Sequence, residues 1–402
     1  MRVKIEPSAA RGTVAAPPSK SMTHRLLICA GLCGGESIVR GIIPSDDVLA
    51  TLDCLSTIGA QYTCGDGTVK IKGVTPEKIK SGALLPCREC GSTLRFFIPI
   101  CLLGTGGTLT GSERLLERPL GVYESVLGGQ GITVAHDGGG ITVSGELRPG
   151  TFDIPGDVSS QFISGLLFAL PLLNGDSVIN ITGAAESMSY VELTLGALES
   201  FGVHVRRDGA RRLIISGGQR YAPQDVTVEG DYSGTAFFEA LNHIGGDVDI
   251  TGLSENSRQG DRVYTDYFKK LSEGTPELSL ADCPDLGPIL FALAAAKNGA
   301  QFTQTRRLRF KESDRAQAMA DELAKLGAEV TVGDDTVTVK PAKLSRPAQP
   351  LCGHGDHRIV MSLAVLLTLV GGEIEGAESV AKSMPDFFEK LGALGVDVTY
   401  EA

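Results

Sequence analysis

A turn signal recurs along the chain at a fixed spacing, and this repeat limits what the chain can fold into. Asp-Gly pairs end at Gly67, Gly138 and Gly209, which are 71 residues apart in both intervals. Each pair precedes a short run of β-branched residues, a pattern typical of a β-hairpin. Helix-like stretches at residues 52–62, 125–134 and 193–205 come before the turns. At this spacing the 402 residues hold about six units of mixed strand and helix.

The length favours two domains of about 200 residues, and hence three units in each. The last unit ends at residues 396–400 without a hairpin partner, and the orphan strand at residues 3–6 could supply one. We therefore predict an α/β (α+β) fold of repeated βαβαββ-like units. Residues 1–18 and 229–402 would form a discontinuous domain, and residues 19–228 an inserted domain. Chance similarity of turn spacing is the alternative explanation.

Composition excludes several classes of function. A net charge of −11 opposes binding to nucleic acid or to an anionic membrane surface. The longest apolar run, residues 359–370, is too short to span a bilayer and is interpreted as a buried helix. The first residues lack the apolar region of a signal peptide, so we expect a cytoplasmic protein.

Cysteine and histidine patterns do not favour a metal or redox site. The nine cysteines are odd in number and irregularly spaced, which indicates free thiols. Cys87 and Cys90 form a lone C-x-x-C, and His354 and His357 have no evident third ligand. We therefore expect neither a metal nor a cofactor.

Polar residues precede several apolar runs that should be buried helices. Residues 17–25 contain Lys20 and Arg25 and lead directly into an apolar run at residues 26–30. Ser159, Ser160 and Gln161 stand before another such run. Helix starts of this kind present amide groups that attract anions. Ordinary capping of a surface helix is the alternative for each segment taken alone.

Basic residues are concentrated at similar positions in the second half of the chain. Residues 306–315 hold five basic residues and precede a predicted helix at 316–326. Lys311 and Arg315 are four residues apart and are predicted to share a helical face, with Glu312 close by. Residues 355–358 cap the apolar run at 359–370, and Lys382 follows. Solvated surface charge would explain each segment alone. Together they indicate helix starts that converge on polyanions.

These segments together resemble the 5-enolpyruvylshikimate-3-phosphate synthase family, over the whole chain and in the same order. The matching motifs are P-x-S-K-S-x-x-x-R at 17–25, S-D-D at 45–47, G-S-T-x-R at 91–95, L-x-E-R-P-L at 115–120, S-S-Q at 159–161, S-x-x-Y at 187–190, E-G-D at 229–231, P-D at 284–285, K-E-S-D-R at 311–315, D-H-R at 356–358 and K-S-x-P-D at 382–386.

The resemblance implies two domains of three units each, with an active site in the cleft between them. It implies transfer of the enolpyruvyl group of phosphoenolpyruvate to the 5-hydroxyl of shikimate 3-phosphate in the shikimate pathway, without a cofactor. The expected shikimate 3-phosphate ligands are Lys20, Ser21, Arg25, Ser159, Ser160, Gln161, Ser187, Asp285 and Lys311. The expected phosphoenolpyruvate ligands are Lys20, Gly91, Arg118, Gln161, Arg315, Arg358 and Lys382.

The family reaction needs an acid and a base, because a hydroxyl adds to C2 of the enol while C3 is protonated. We assign the 5-hydroxyl proton to Asp285, and proton transfer at C3 to Glu312 with Lys20; the sequence leaves open which of the two delivers it. The family's herbicide glyphosate would occupy the phosphoenolpyruvate site. We expect a monomer with no partner beyond its two substrates.

Two residues depart from common family patterns, since Glu89 and Arg307 stand where relatives carry asparagine. They affect the expected local contacts and not the expected reaction. A rival within the fold is the UDP-N-acetylglucosamine enolpyruvyl transferase, which has lysine-asparagine where this chain has Lys20 and Ser21. A rival of another class is an anion-binding scaffold without catalysis. The presence of Asp285 and Glu312 among the cations argues against this rival.

Overall fold

The computed structural model describes residues 1–401 and divides into two compact units. One unit combines residues 1–19 with the residues from 230 onward, and the other is the continuous segment 20–229. The chain thus leaves the first unit after Ser19 and re-enters it at Gly230. Among the described residues, no helix is long and apolar enough to cross a membrane.

The first 229 residues contain helices and strands in near alternation. In chain order they are β1 (Arg2–Glu6), β2 (Arg11–Ala15), α1 (Lys20–Gly31), β3 (Glu36–Arg40), α2 (Asp46–Ile58), β4 (Gln61–Gly65), β5 (Thr68–Lys72), β6 (Ala83–Pro86), α3 (Gly91–Cys101), β7 (Gly106–Thr110), α4 (Glu113–Leu116), α5 (Gly121–Gly128), β8 (Thr133–Asp137), β9 (Gly140–Ser144), β10 (Thr151–Pro155), α6 (Ser160–Ala169), β11 (Ser177–Thr182), α7 (Met188–Ser200), β12 (Val205–Arg207), β13 (Arg212–Ile215) and β14 (Asp225–Thr227).

The remaining described residues continue the same pattern. They form α8 (Tyr232–His243), β15 (Asp247–Thr251), α9 (Tyr264–Glu273), β16 (Glu277–Ser279), α10 (Gly287–Ala296), β17 (Ala300–Thr303), α11 (Arg315–Lys325), β18 (Val330–Val332), β19 (Thr336–Val339), β20 (Leu351–Cys352), α12 (His357–Val370), β21 (Gly372–Glu375), α13 (Phe387–Ala393) and β22 (Asp397–Glu401). Short 3₁₀ turns include Pro284–Leu286, Arg306–Phe310 and Ala377–Lys382.

Three four-stranded sheets of one pattern build the unit of residues 20–229. Their strand orders are β6-β7-β9-β8, β10-β11-β13-β12 and β14-β3-β5-β4. In each sheet the first two strands pair in parallel and the last three pair antiparallel. The three hairpins β4–β5, β8–β9 and β12–β13 enclose the Asp-Gly turns, so the predicted hairpins and repeat are confirmed.

The other unit holds two sheets of the same pattern and one smaller sheet. The strand orders are β16-β17-β19-β18, β20-β21-β1-β22 and β15-β2. Strand β1 pairs antiparallel with β22 along Arg2–Glu6, which confirms that the N-terminal strand completes the last sheet. The β15-β2 sheet has two parallel strands only, because the segment from β15 to β16 contains no Asp-Gly turn and forms no hairpin.

Helices that are buried on nearly all sides lie at the centre of each unit. Every residue of α3 except Ser92 is buried, and α6 and α10 are almost as enclosed. A helix that is enclosed on every side needs apolar residues on every face, which is why most residues of these helices are apolar. Only their ends can carry charged groups into contact with solvent, and the predicted motifs stand at the first turns of α1, α3, α6, α11 and α12.

Candidate active site

The unit of residues 20–229 places Lys20 at the first position of α1, beside a carboxylate. The Lys20 Nζ atom donates to Asp47 Oδ2 at 2.7 Å, and both side chains are mostly buried. Asp47 lies in the first turn of α2, where the helix dipole favours a negative charge. The pair holds the ammonium group at the start of α1 with its charge balanced.

Arg25 is buried one turn further along the same helix. Its Nε donates to Thr194 Oγ1 at 2.8 Å, and its two Nη atoms donate to the carbonyl oxygens of Ser21 and Tyr190 at 2.6 and 3.0 Å. Burial lowers the pKa of Arg25 to about 10, in spite of the opposite effect of Tyr190. The guanidinium therefore joins α1 to α7 and also fixes the backbone beside Ser21.

Gly91 begins α3 directly against the side chain of Arg118. A β carbon at position 91 would stand 2.2 Å from Arg118 Nη1, closer than any real contact of that kind. Nearby, Gln161 accepts from Arg95 Nη1 at 2.7 Å and donates to Ser92 Oγ at 2.9 Å. The motifs around residues 91, 118 and 161 are thus brought to one place.

Serine side chains lie at two further helix starts of this unit. Ser159 caps α6, and its Oγ accepts from the backbone N–H of Gln161 at 3.3 Å, while Ser160 is the first helical residue. Ser187 precedes α7 with a φ of 55°. This left-handed backbone is uncommon outside glycine and often marks a functional position.

A charge network occupies the other unit and is centred on Arg315. The Arg315 side chain is 1% exposed and donates to three carboxylates. Its Nε contacts Asp356 Oδ2 at 2.8 Å, its Nη1 contacts Asp285 Oδ1 at 2.9 Å, and its Nη2 contacts Glu312 Oε2 at 2.6 Å. Burial acts to lower the pKa of Arg315, but these carboxylates outweigh it and raise the pKa above its ordinary value.

Three cationic side chains contact the carboxylate of Asp285. Besides Arg315, Lys311 Nζ contacts Oδ1 at 3.1 Å and Arg358 Nη2 contacts Oδ2 at 3.2 Å. Arg358 also donates to Ser233 Oγ at 2.7 Å. Burial lowers the pKa of Lys311, although Asp285 favours its charged form. Two basic motifs and the P-D motif therefore meet at one aspartate.

Lys382 lies at the end of a 3₁₀ turn and is tied to the same segment of chain. Its Nζ donates to the carbonyl oxygen of Gly355 at 2.5 Å, next to the Asp356 cap of α12. Asp356 Oδ1 accepts from the backbone N–H of Arg358 at 2.9 Å and completes that cap. The D-H-R and K-S-x-P-D motifs are thus neighbours.

The prediction that Lys311 and Arg315 share a helical face is wrong. Helix α11 begins at Arg315, because Asp314 caps it by accepting from the backbone N–H of Gln317 at 3.2 Å. Lys311 lies before the helix in an extended conformation. The two cations meet through Asp285 instead of through helical spacing.

The two departures from the family pattern occupy different environments. Glu89 is exposed, on the segment that leads into α3. Arg307 is buried, and its Nη2 donates to the carbonyl oxygen of Ala281, close in sequence to Asp285.

Sequence reasoning did not assign roles to several residues that complete these contacts. Asp47 and Asp356 pair with the expected cations, and Arg95 positions Gln161. All three belong to motifs that the sequence displays, so the signal existed, but a motif does not state which cation a carboxylate contacts. Among the described residues, His24, Asp47 and Cys90 also form one group that could hold a metal ion.

Lys20 in one unit is thus already paired with a carboxylate, and so are Lys311, Arg315 and Arg358 in the other. A cation that is held in this way can bind an anion by exchange, because an incoming phosphate or carboxylate competes with the protein carboxylate for the same donors. Arg358, Lys311 and Arg315 can each transfer donors from Asp285 to a ligand. The carboxylates are then available as proton acceptors or donors.

Comparison with known proteins agrees with these motifs over the whole chain. The family described as EPSP synthase (3-phosphoshikimate 1-carboxyvinyltransferase) matches residues 5–391. Proteins named 3-phosphoshikimate 1-carboxyvinyltransferase from Clostridium kluyveri and from Clostridium botulinum strain Alaska E43 are 39% and 38% identical to it. The alignments cover 98% of this chain and 98% and 97% of those proteins.

Solved structures of EPSP synthase from Acinetobacter baumannii have the same fold. One has a TM-score of 0.77 at 24% identity and covers 99% of this chain and all of that one. A second has a TM-score of 0.78 at 23% identity, with complete coverage of both chains. The family match and the curated relatives carry the assignment beyond the fold: this chain belongs to the EPSP synthase (3-phosphoshikimate 1-carboxyvinyltransferase) family.

Proposed function

We propose that this chain transfers the enolpyruvyl group of phosphoenolpyruvate to the 5-hydroxyl of shikimate 3-phosphate and releases phosphate. The observation that carries the proposal is the family match over residues 5–391, within which every expected ligand residue is present. The contacts described above support it, since Lys20, Arg315 and Arg358 stand at helix starts and Lys311 meets the last two at Asp285.

The two substrates bring two phosphates and two carboxylates, which the protein has to neutralise. In our proposal, phosphoenolpyruvate is bound by Lys20, Gly91, Arg118, Gln161, Arg315, Arg358 and Lys382. Shikimate 3-phosphate is bound by Lys20, Ser21, Arg25, Ser159, Ser160, Gln161, Ser187, Asp285 and Lys311. Charge-assisted hydrogen bonds of this kind are about twice as strong as neutral ones.

Asp285 is proposed to accept the proton of the 5-hydroxyl as its oxygen attacks C2 of phosphoenolpyruvate. Its carboxylate lies within 3.2 Å of Lys311, Arg315 and Arg358, so its position is fixed by three donors. When substrate anions draw those donors away, the carboxylate becomes a better base. Substrate binding would thus prepare the base that the reaction needs.

Glu312 and Lys20 are proposed to transfer the proton at C3. Glu312 is fixed by Arg315 Nη2 at 2.6 Å, and Lys20 by Asp47 at 2.7 Å. Addition gives a tetrahedral intermediate. When C3 gives a proton back to the protein, the bond from C2 to the phosphate oxygen breaks and phosphate leaves. Preorganised cations around the departing phosphate would supply the electrostatic part of catalysis, and holding both substrates together would supply the entropic part.

An acceptor comparison tests the proposal. Phosphate release from phosphoenolpyruvate is measured with shikimate 3-phosphate, with UDP-N-acetylglucosamine and with neither. We expect release with shikimate 3-phosphate alone. Release only with UDP-N-acetylglucosamine would assign the chain to the rival transferase, and no release with either acceptor would favour an anion-binding scaffold. Light scattering on the same sample checks the monomer that we propose.

A further inference from the structure

His24, Asp47 and Cys90 form a compact cluster that the proposed reaction does not use as a whole. Each offers one ligand atom, and these atoms lie within 4.8 Å of one another. The three residues are between 1% and 6% exposed. They come from three different helices or caps, α1, α2 and the N-cap of α3, so the fold and not local sequence brings them together.

We propose that His24, Asp47 and Cys90 form a binding site for Zn²⁺ or a similarly thiophilic divalent cation, which competes with Lys20 for the carboxylate of Asp47. One imidazole, one thiolate and one carboxylate are ligands that zinc accepts, and three protein ligands leave a fourth position open. The metal would be an inhibitor of the enzyme and not its cofactor. Only this effect on turnover depends on the proposed function; the binding itself does not.

The distance between two of the three ligand atoms is close to that of an occupied site. Cys90 Sγ and His24 Nε2 are 3.8 Å apart. Zinc bonds of about 2.3 Å to sulfur and 2.0–2.1 Å to nitrogen, at a tetrahedral angle, place the two ligand atoms about 3.6 Å apart. This pair therefore needs to close by only a few tenths of an ångström, and the carboxylate of Asp47 offers the third ligand atom within 4.8 Å of both.

Two threonines contact the imidazole of His24 and the sulfur of Cys90. Thr51 Oγ1 lies 2.7 Å from His24 Nδ1 and 2.7 Å from Thr93 Oγ1. The backbone N–H of Thr93 donates to Cys90 Sγ at 3.4 Å. A hydrogen bond at one ring nitrogen orients the other toward a metal, as outer partners do in known zinc sites. Nε2 accordingly faces the sulfur.

Metal binding requires a change in the charges around Asp47. The carboxylate of Asp47 is now balanced by the ammonium of Lys20 at 2.7 Å. If Lys20 withdraws and the Cys90 thiol loses a proton to solvent, a divalent cation is balanced by one carboxylate and one thiolate. Lys20 and Asp47 retain 17% and 9% exposure of their side chains, so the ion enters from their side.

The C-x-x-C pair itself is not the site. Cys87 Sγ donates to the carbonyl oxygen of Leu85 at 3.6 Å and is not among the three clustered residues. The other two residues of the cluster come from α1 and α2, so the C-x-x-C spacing plays no part in the site.

Co²⁺ titration of reduced, chelator-treated protein tests the site without any assay of turnover. We expect one equivalent to bind with a thiolate-to-cobalt absorption band and the visible bands of a tetrahedral ion. Cys90→Ala should abolish the thiolate band and weaken binding by at least about 100-fold. Two matched variants should keep the thiolate band and the affinity for Co²⁺. They are Cys101→Ala, which removes a buried thiol in α3, and Cys352→Ala, which removes an exposed thiol beside His354.

Lys20→Ala tests the competition, and it should tighten Co²⁺ binding by about tenfold or more because Asp47 loses its present partner. His24→Gln gives a second test of the ligand set if Cys90→Ala does not fold. A thiolate band that survives in both Cys90→Ala and His24→Gln, or that Cys352→Ala removes, would overturn the site. Unchanged affinity in Lys20→Ala would overturn the competition.

Zn²⁺ inhibition of phosphate release then connects the site to turnover. We expect inhibition that Cys90→Ala relieves, measured against the metal-free rate of each variant. Absence of any turnover would count against the proposed function and leave the cobalt result standing. Normal turnover without zinc inhibition would contradict the inhibitory role.

Discussion

The Nη1 atom of Arg118 lies where a methyl group on Gly91 would have to go. A β carbon on Gly91 would stand 2.2 Å from that nitrogen and 3.3 Å from the central carbon of the guanidinium. The backbone at Gly91 is helical and any residue could adopt it, so the effect of a larger residue would be to displace the end of the Arg118 side chain. The size of residue 91 therefore sets the position of one expected phosphoenolpyruvate ligand.

Gly91→Ala should weaken the binding of both phosphoenolpyruvate and glyphosate. Displacement of the Arg118 guanidinium would weaken a charge-assisted hydrogen bond to the ligand, which is worth about 1.5–3 kcal/mol, or about 10- to 150-fold in affinity. The KM for phosphoenolpyruvate and the inhibition constant of glyphosate, measured at saturating shikimate 3-phosphate, check this.

The matched control is Gly121→Ala, at the first position of α5, where a β carbon meets nothing within 4 Å. It should leave both constants unchanged. Unaltered glyphosate inhibition in Gly91→Ala would mean that residues 91 and 118 do not line the phosphoenolpyruvate site.

Asp285→Asn and Glu312→Gln should each lower kcat by about 10²–10⁴, as expected for groups that transfer protons. Both replacements keep the shape of the side chain and remove its charge, so KM values should change much less than kcat. Steady-state kinetics with both substrates varied separates the two constants.

Asp282→Asn is the control, because it removes an exposed carboxylate three positions from Asp285. Circular dichroism shows whether each variant keeps its fold, since Asp285 and Glu312 both contact the buried Arg315. Turnover near the parent value in either variant would refute its proposed role.

Removal of divalent metals should not lower turnover. The cations that the proposal uses are lysine and arginine side chains, and the one clustered ligand set among the described residues is already engaged through Asp47 by Lys20. Phosphate release is followed before and after treatment with a chelator. A loss that zinc or magnesium restores would show that a metal takes part.

Buried thiols should make the folded protein less stable in alkali. Burial raises the pKa of Cys101 from 9.0 to about 12, so the thiol stays protonated in the folded state while it ionises in the unfolded chain. The stabilising effect is complete below pH 9.0 and is lost as the pH rises toward about 12. Each such thiol contributes a slope of about 1.4 kcal/mol per pH unit.

Cys101→Ala should therefore flatten the dependence of the unfolding free energy on pH by about that amount, whatever its effect at neutral pH. Urea unfolding in the presence of a reductant, from about pH 8 to about pH 11, measures the slope. The exposed Cys64→Ala serves as the control and should not change it. Identical slopes in all three proteins would exclude this origin of alkaline unfolding.

The repeat and the helix starts could be predicted because they depend on local chemistry. Asp-Gly between two extended segments favours a hairpin, and the hairpins at Gly67, Gly138 and Gly209 form as expected. An apolar run after a polar cap gives a buried helix, as in α12 at His357–Val370. The pairing of β1 with the last strand could be predicted because each of the two lacks a partner in its own unit.

Contacts between distant segments could not be predicted in the same way. Lys311 and Arg315 are four residues apart, and helical spacing suggested a shared face, yet a cap at Asp314 moves the helix start past Lys311. The pairing of Lys20 with Asp47, and of His24 with Cys90, depends on how α1 packs beside α2 and α3. Such packing depends on the whole unit, so the residue type at one position does not predict its contacts with distant segments.

Identification of the product tests the central claim most directly. The protein is incubated with shikimate 3-phosphate and phosphoenolpyruvate, and the product is examined by mass spectrometry and proton NMR. We predict shikimate 3-phosphate in which a carboxyvinyl group replaces the hydrogen of the 5-hydroxyl, together with one phosphate released for each molecule formed. Recovery of both substrates unchanged, or a carboxyvinyl group at another oxygen, would contradict the account.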